Sequence, residues 1–181
     1  MSTGTLTGPL QRLMDELKKL PGIGARSAER IAFHLLKAGR DEALALASAV
    51  TAIKDEIRPC SRCFNLADAE LCNICADGRR DQGQIVVVEQ PKDLLTLEAT
   101  GVILGIYHVL MGHIAPLDGV EPADLTIDAL LQRVKAGGVR EVILATNPNL
   151  EGDATALHIT SLLADTGVEV TRLARGIAPG S

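Results

Sequence analysis

The 181-residue sequence holds no tryptophan, one tyrosine and two phenylalanines. Proteins that grip single strands by stacking lay the bases on aromatic faces. This chain lacks the means for such a platform, and its core must be mostly aliphatic. Basic residues are also in deficit: eighteen Lys and Arg against twenty-three Asp and Glu give a net charge of −5 at pH 7. That is not the balance of a uniformly basic nucleic-acid binder. No apolar run reaches the ~20 residues of a membrane span, and no signal-peptide pattern opens the chain. The expected location is the cytoplasm, where thiols stay reduced. The Gly-x4-Gly-Lys-Ser/Thr pattern is missing too, which excludes ATP binding by a P-loop.

The charge that is present is unevenly spread. Residues 1–58 carry nine Lys/Arg against seven Asp/Glu, and residues 84–181 carry six against twelve. Affinity for phosphate is therefore expected towards the N-terminus. After a small polar start at 1–9, expected to be frayed, Leu10, Leu13, Met14, Leu17 and Leu20 recur at helical spacing. Pro21-Gly22-Ile23-Gly24 breaks that helix. Ala28, Ile31, Ala32, Leu35 and Leu36 then form one face of a second helix over 27–37, and a third is expected over 41–57.

The Leu20-Pro21-Gly22-Ile23-Gly24 turn is similar to the helix-hairpin-helix pattern of many DNA-binding proteins. Gly22 and Gly24 permit tight backbone geometry, and the amides that open the following helix attract anions through unpaired N–H groups and the helix dipole. Lys18, Lys19, Arg26 and Arg30 lie close by and supply candidate phosphate contacts, which fix position without reading base sequence. An ordinary helix–helix turn, or a hairpin used for dimerisation, is the alternative reading.

All four cysteines fall between residues 58 and 83, as Cys60-x2-Cys63 and Cys72-x2-Cys75 separated by eight residues. Each pair can present two sulfurs to one ion. Four thiolates suit tetrahedral zinc and leave no open position for water or substrate, so the site is expected to be structural. Two disulfides, free thiols or an iron–sulfur cluster are the alternatives.

Beyond Gly83 strands and helices alternate, as in a parallel α/β sheet. Ile85-Val86-Val87-Val88 is a continuous apolar strand of the kind covered on both faces. Further strands are expected over 102–110, 141–146 and 168–173, and helices over 92–99, 127–136 and 152–165, with a loop over 111–124. Glu89 closes the first strand, and Ala145-Thr146-Asn147-Pro148-Asn149 follows a later one. This part looks like a Toprim domain, the module of type IA topoisomerases, bacterial primases and some nucleases. In that module a Glu and an Asp-x-Asp pair hold magnesium. Here Glu89 stands in the first role, but Asn147 and Asn149 stand at the Asp positions. Two neutral amides remove two charges from a site that magnesium needs charged, so no cleavage, joining or polymerisation is expected. Glu89, Glu151 and Asp153 remain as candidates for a weak metal contact or a partner contact, or as ordinary solvated acids. Tyr107-His108, His113 and His158 form no traceable nucleophile–base arrangement.

Taken in order, the Leu-Pro-Gly-Ile-Gly turn, the four-cysteine spacing, Tyr107-His108-Val109-Leu110, Pro116-Leu117-Asp118-Gly119 and Ala145-Thr146-Asn147-Pro148-Asn149 resemble the RecR family of bacterial recombination mediators over nearly the whole chain. The expected fold is α+β and multi-domain. It comprises a helix-hairpin-helix domain at 1–57, a four-cysteine zinc finger at 58–80 and an α/β Toprim domain with a parallel sheet at 81–175. Residues 176–181 are expected to begin a C-terminal segment that is truncated. The resemblance implies a non-catalytic DNA-binding protein of DNA repair, acting with RecO and RecF to promote RecA loading at single-stranded gaps, and a homo-oligomer, dimer or ring-like tetramer. With the short C-terminus a dimer held by the N-terminal helices is expected, and a light-scattering mass of four chains would count against it. A magnesium-dependent nuclease or topoisomerase-like enzyme, and a scaffold that touches no DNA, are the rival readings.

Overall fold

The computed structural model describes residues 8–174. The frayed start expected over 1–9 lies outside the described residues as far as residue 7, and the segment 176–181 lies outside them entirely. The chain forms two compact units, one ending at Glu56 and the other beginning at Ile57.

The first unit contains helices α1 (Gly8–Lys18), α2 (Ala25–Lys37) and α3 (Arg40–Asp55). Its buried residues are Met14 on α1 and Ala28 and Ala32 on α2, where the two small alanines let the helices approach. Helix α3 buries no residue at all. Leu36, Val50 and Ile53 stand 60–66% exposed, more apolar surface than a unit this small needs to leave in water.

The second unit begins with a finger: strand β1 (Arg58–Pro59) pairs antiparallel with β2 (Leu66–Ala67), and a single helical turn, α4 (Asn73–Ala76), follows. Then come β3 (Asp81–Val88), α5 (Pro91–Glu98), β4 (Gly105–Val109), α6 (Ile127–Lys135), β5 (Glu141–Leu144), α7 (Leu150–Leu163) and β6 (Glu169–Arg172). The four strands form one parallel sheet in the order β4-β3-β5-β6.

The run Ile85–Val88 explains the layering. Side chains alternate across a strand. Ile85 and Val87 join Leu130 and Val134 of α6 and Ile159 and Leu163 of α7. Val86 and Val88 join Leu94 of α5, with Phe64 and Ile74 of the finger packed against them. The finger is therefore part of the layer that covers one face of the sheet.

Some expected boundaries shift. The strand expected from Val102 starts at Gly105, because Val102 and Leu104 are 74% and 73% exposed and find no sheet face to cover. The strand expected to reach Thr146 ends at Leu144, where the chain turns towards the sheet's carboxyl edge. The helix expected from Gly152 starts at Leu150 because Asn149 caps it. Within the expected loop 111–124, two short 3-10 turns, Pro116–Asp118 and Pro122–Asp124, each open on a proline. Among the described residues no helix is long and apolar enough to cross a membrane.

From β3 the chain crosses to β4 on one side and returns to β5 on the other. In open parallel sheets the crevice at such a switch, outside the carboxyl ends of the strands, is where ligands are held. Glu89 and Asn147 sit at that position.

Candidate metal centre and nucleic-acid interface

In the helical unit, Gly22 takes a left-handed φ of 79° that lets α1 turn back into α2. Gly24 is the N-cap of α2 and offers no side chain to satisfy the amides that follow, so these stay available to an anion. Lys18, Lys19, Arg26 and Arg30 lie on or beside this turn, and all four are exposed. Lys18 and Lys19 pair with Asp15 and Glu16 one turn earlier, at 2.9 and 2.7 Å. Such surface pairs are worth little and are easily exchanged.

The four cysteines are buried, between 0 and 5% exposed. Their sulfurs all lie within 4.8 Å of one another. The backbone of each knuckle is arranged for thiolates. Burial alone would raise the Cys60 thiol, but amides of Cys72, Cys63 and Arg62 directed at its sulfur outweigh burial and hold it at about 7. Sharing a hydrogen bond with Cys75 and burial push the Cys63 thiol up, and burial does the same for Cys72. A cluster of buried sulfurs held this close, with N–H groups aimed at one of them, fits a tetrahedral divalent ion. Cys60, Cys63, Cys72 and Cys75 would hold it. The ion would supply cross-linking to a segment too small to carry its own core.

At the sheet's carboxyl edge Glu89 is 1% exposed. Its Oε1 accepts the backbone N–H of Asn147 at 2.7 Å, and its Oε2 accepts the Asn147 amide Nδ2–H at 2.6 Å. His113 Nδ1 lies 3.0 Å from the same Oε2. Asn149 accepts the Gly152 N–H at 2.8 Å as the N-cap of α7. The Asn149→Ala variant should lose about 1 kcal/mol of stability through the missing cap, read as a small drop in denaturant midpoint. Asp153 pairs with Arg172 at 2.5 Å, and Glu151 stands in the first turn of α7, where a negative charge favours the helix dipole. These residues do not fit a magnesium site. Its one buried carboxylate is occupied by protein donors, and the two side chains at the Asp positions are neutral. Sequence reasoning placed Glu89 and Asn147 together but missed His113, which lies 24 residues from its partner with no spacing signal to reveal it.

A second buried network joins the finger to the sheet. The Val109 N–H donates to the Cys63 carbonyl at 2.8 Å, and the Phe64 ring meets His108 edge-on at 5.4 Å between centroids. Burial, aided by Arg133, lowers the His108 pKa to about 3, so its imidazole is neutral. Arg133 Nη1 donates to Nδ1 at 3.0 Å, which leaves the proton on Nε2, facing the carbonyl and hydroxyl of Thr126.

The hairpin, the cysteine cluster and the parallel sheet occur in one chain, and each matches a family profile. Residues 10–54 match the RecR helix-hairpin-helix, 57–77 the RecR four-cysteine zinc finger domain, and 83–174 the Toprim domain. The protein named Recombination protein RecR from Rhodopirellula baltica is 56% identical over 174 residues, covering 96% of this chain and 87% of that one. The chain belongs to the RecR family. A RecR from Roseiflexus sp. is 53% identical over 97% of this chain and 85% of its own length. One from Dehalococcoides mccartyi is 47% identical over 99% and 88%. The family places the chain among recombination proteins of DNA repair rather than among Toprim enzymes, in keeping with a Toprim edge whose acid is tied to a neutral amide. Its matched zinc finger accounts for the four-cysteine cluster as a metal site.

Proposed function

We propose that this chain is a DNA-holding mediator without catalytic turnover, acting with RecO and RecF to promote RecA loading at single-stranded gaps, with structural zinc in the finger. The observation that carries the DNA-binding part is the hairpin. An uncapped helix start after Gly22 and Gly24 is flanked by Lys18, Lys19, Arg26 and Arg30. That is an anion-attracting constellation in an otherwise acidic chain. With so few basic residues per chain, binding by one copy is weak, and useful affinity comes from several copies acting together. The exposed apolar residues Leu36, Val50 and Ile53 favour such a homo-oligomer. The domain limits 1–57, 58–80 and 81–175 are proposed as units of function. A partner contact at the sheet's carboxyl edge falls to Glu151 rather than to the enclosed Glu89.

Fluorescence anisotropy with labelled duplex and single-stranded DNA, titrated against salt, tests the reading. Reversing charge with Lys19→Glu and Arg26→Glu together should weaken binding at least about tenfold. It should also flatten the duplex salt slope by roughly 1.8, about 0.9 for each lost phosphate contact. Unchanged affinity and slope in the double variant would turn the proposal towards a scaffold that meets DNA through its partners. Magnesium-dependent nicking of plasmid would revive an enzymatic reading.

A further inference from the structure

Four thiolates around one divalent ion carry a net charge of 2−, and here all four sulfurs are buried. A buried charge is costly unless compensated, so the protein must place cations beside the cluster. Two guanidiniums lie at the finger. Arg62 lies within the first knuckle and reaches the Cys75 carbonyl at 3.4 Å. Arg133 comes from α6, far along the chain, and lines a cleft together with Ser61, Arg62, Phe64 and Leu71 of the finger. Its Nη1 donates to the Tyr107 carbonyl at 2.9 Å and to His108 Nδ1. Its Nη2 is buried with no hydrogen-bond partner among the described residues. An unsatisfied, charged donor in the interior costs stability unless something else answers its charge.

We infer that Arg133 is a positioning residue for the metal centre: its guanidinium is the long-range counter-cation of the cysteine cluster, and it links metal occupancy to β4. The inference rests on the zinc reading of the finger. Burial lowers the Arg133 pKa and the like charge of Arg62 adds to this, while the thiols of Cys75, Cys63 and Cys60 act in the opposite sense. Through His108 and Thr126 the link continues. The Thr126 hydroxyl donates to the Val109 carbonyl at 2.7 Å, and the Val109 N–H returns to Cys63. Metal, finger and the strand that leads into the carboxyl-edge loop thus form one closed network.

The test uses the full chain with Arg133→Met, which keeps much of the length and removes charge, and Arg133→Lys, which keeps charge but loses the planar fork. Zinc affinity is read by competition with a chromophoric chelator, and the thiolate-to-cobalt charge-transfer band is read after cobalt substitution. Arg133→Met should bind zinc about 10–100-fold more weakly and shift the band. Arg133→Lys should stay within about threefold of the parent, since a cation near the thiolates is what the centre requires. Zinc affinity and band position unchanged in a folded Arg133→Met would overturn the inference. Should Arg133→Met fail to fold, Arg133→Lys decides: a loss of about tenfold or more there refutes a role through charge. A parent chain that binds no zinc would overturn the metal reading itself and the inference with it, an outcome distinct from equal binding by parent and variant.

Discussion

Stripping the metal with a strong chelator is expected to unfold the finger and to take much of the second unit's stability with it. Metal binding in zinc-finger peptides is worth ~10–16 kcal/mol, as large as the ~5–15 kcal/mol that holds a whole domain together. The effect should spread because the finger packs against the sheet. Phe64 and Ile74 cover Val86, Val88 and Leu94, and the Val109 amide is bonded to Cys63. Losing that cover exposes one face of the central strand. Thermal denaturation followed by circular dichroism, with zinc content measured in parallel, should show an early and broadened transition in the chelated protein, reversed by added zinc. The Cys63→Ser variant should reproduce it. A melting curve unmoved after the zinc has been removed would mean that the cluster does not stabilise the fold.

The Gly152→Ala variant should be the most damaging single methyl added at the sheet's carboxyl edge. A Cβ at Gly152 would lie 2.1 Å from the Asn147 carbonyl oxygen, 2.8 Å from Glu89 Oε1 and 2.9 Å from Asn149 Oδ1. The nearest of these is backbone and cannot swing aside. Relief therefore requires pulling apart the Asn147–Glu89 pair or the cap on α7, and Glu89 would be left buried with fewer donors. The expected cost is about 3 kcal/mol, or roughly a 10 °C fall in melting temperature. The Gly78→Ala variant, where an added Cβ meets nothing within 4 Å, is the matched control and should move little. Equal melting temperatures for the two variants would show that this edge yields more easily than its contacts suggest.

What could be read in the residues, and what could not, divides by the range of the interaction. The cysteine spacing announces its cluster because the ligand pairs are local, with two residues between the members of each. The run Ile85–Val88 announces a strand covered on both sides because its neighbours in sequence are its own signature. The replacement of acids by Asn147 and Asn149 is visible as a loss of charge. Their new roles are not: Asn147 serves a buried carboxylate 58 residues away, and Asn149 has become a helix cap. Helix α3 has an apolar pattern yet buries none of its residues, so its periodicity gives the helix and says nothing of what covers it. Arg133 looks like any basic residue in the last turn of a helix. Only the fold brings it beside the finger.

The finger's place in the second unit also sets an order of assembly. Its last ligand, Cys75, precedes the first residue of β3, Asp81, so the finger leaves the ribosome complete before any of the four sheet strands has emerged in full. The strand that emerges next is one of the sheet's two central strands, whose β5 partner begins only at Glu141. Through that interval Val86 and Val88 have a preassembled apolar surface to rest on. Chains synthesised under metal starvation would lack it and would present an uncovered strand, paired at most with β4 and open along its other edge, while synthesis continues, the kind of species that aggregates.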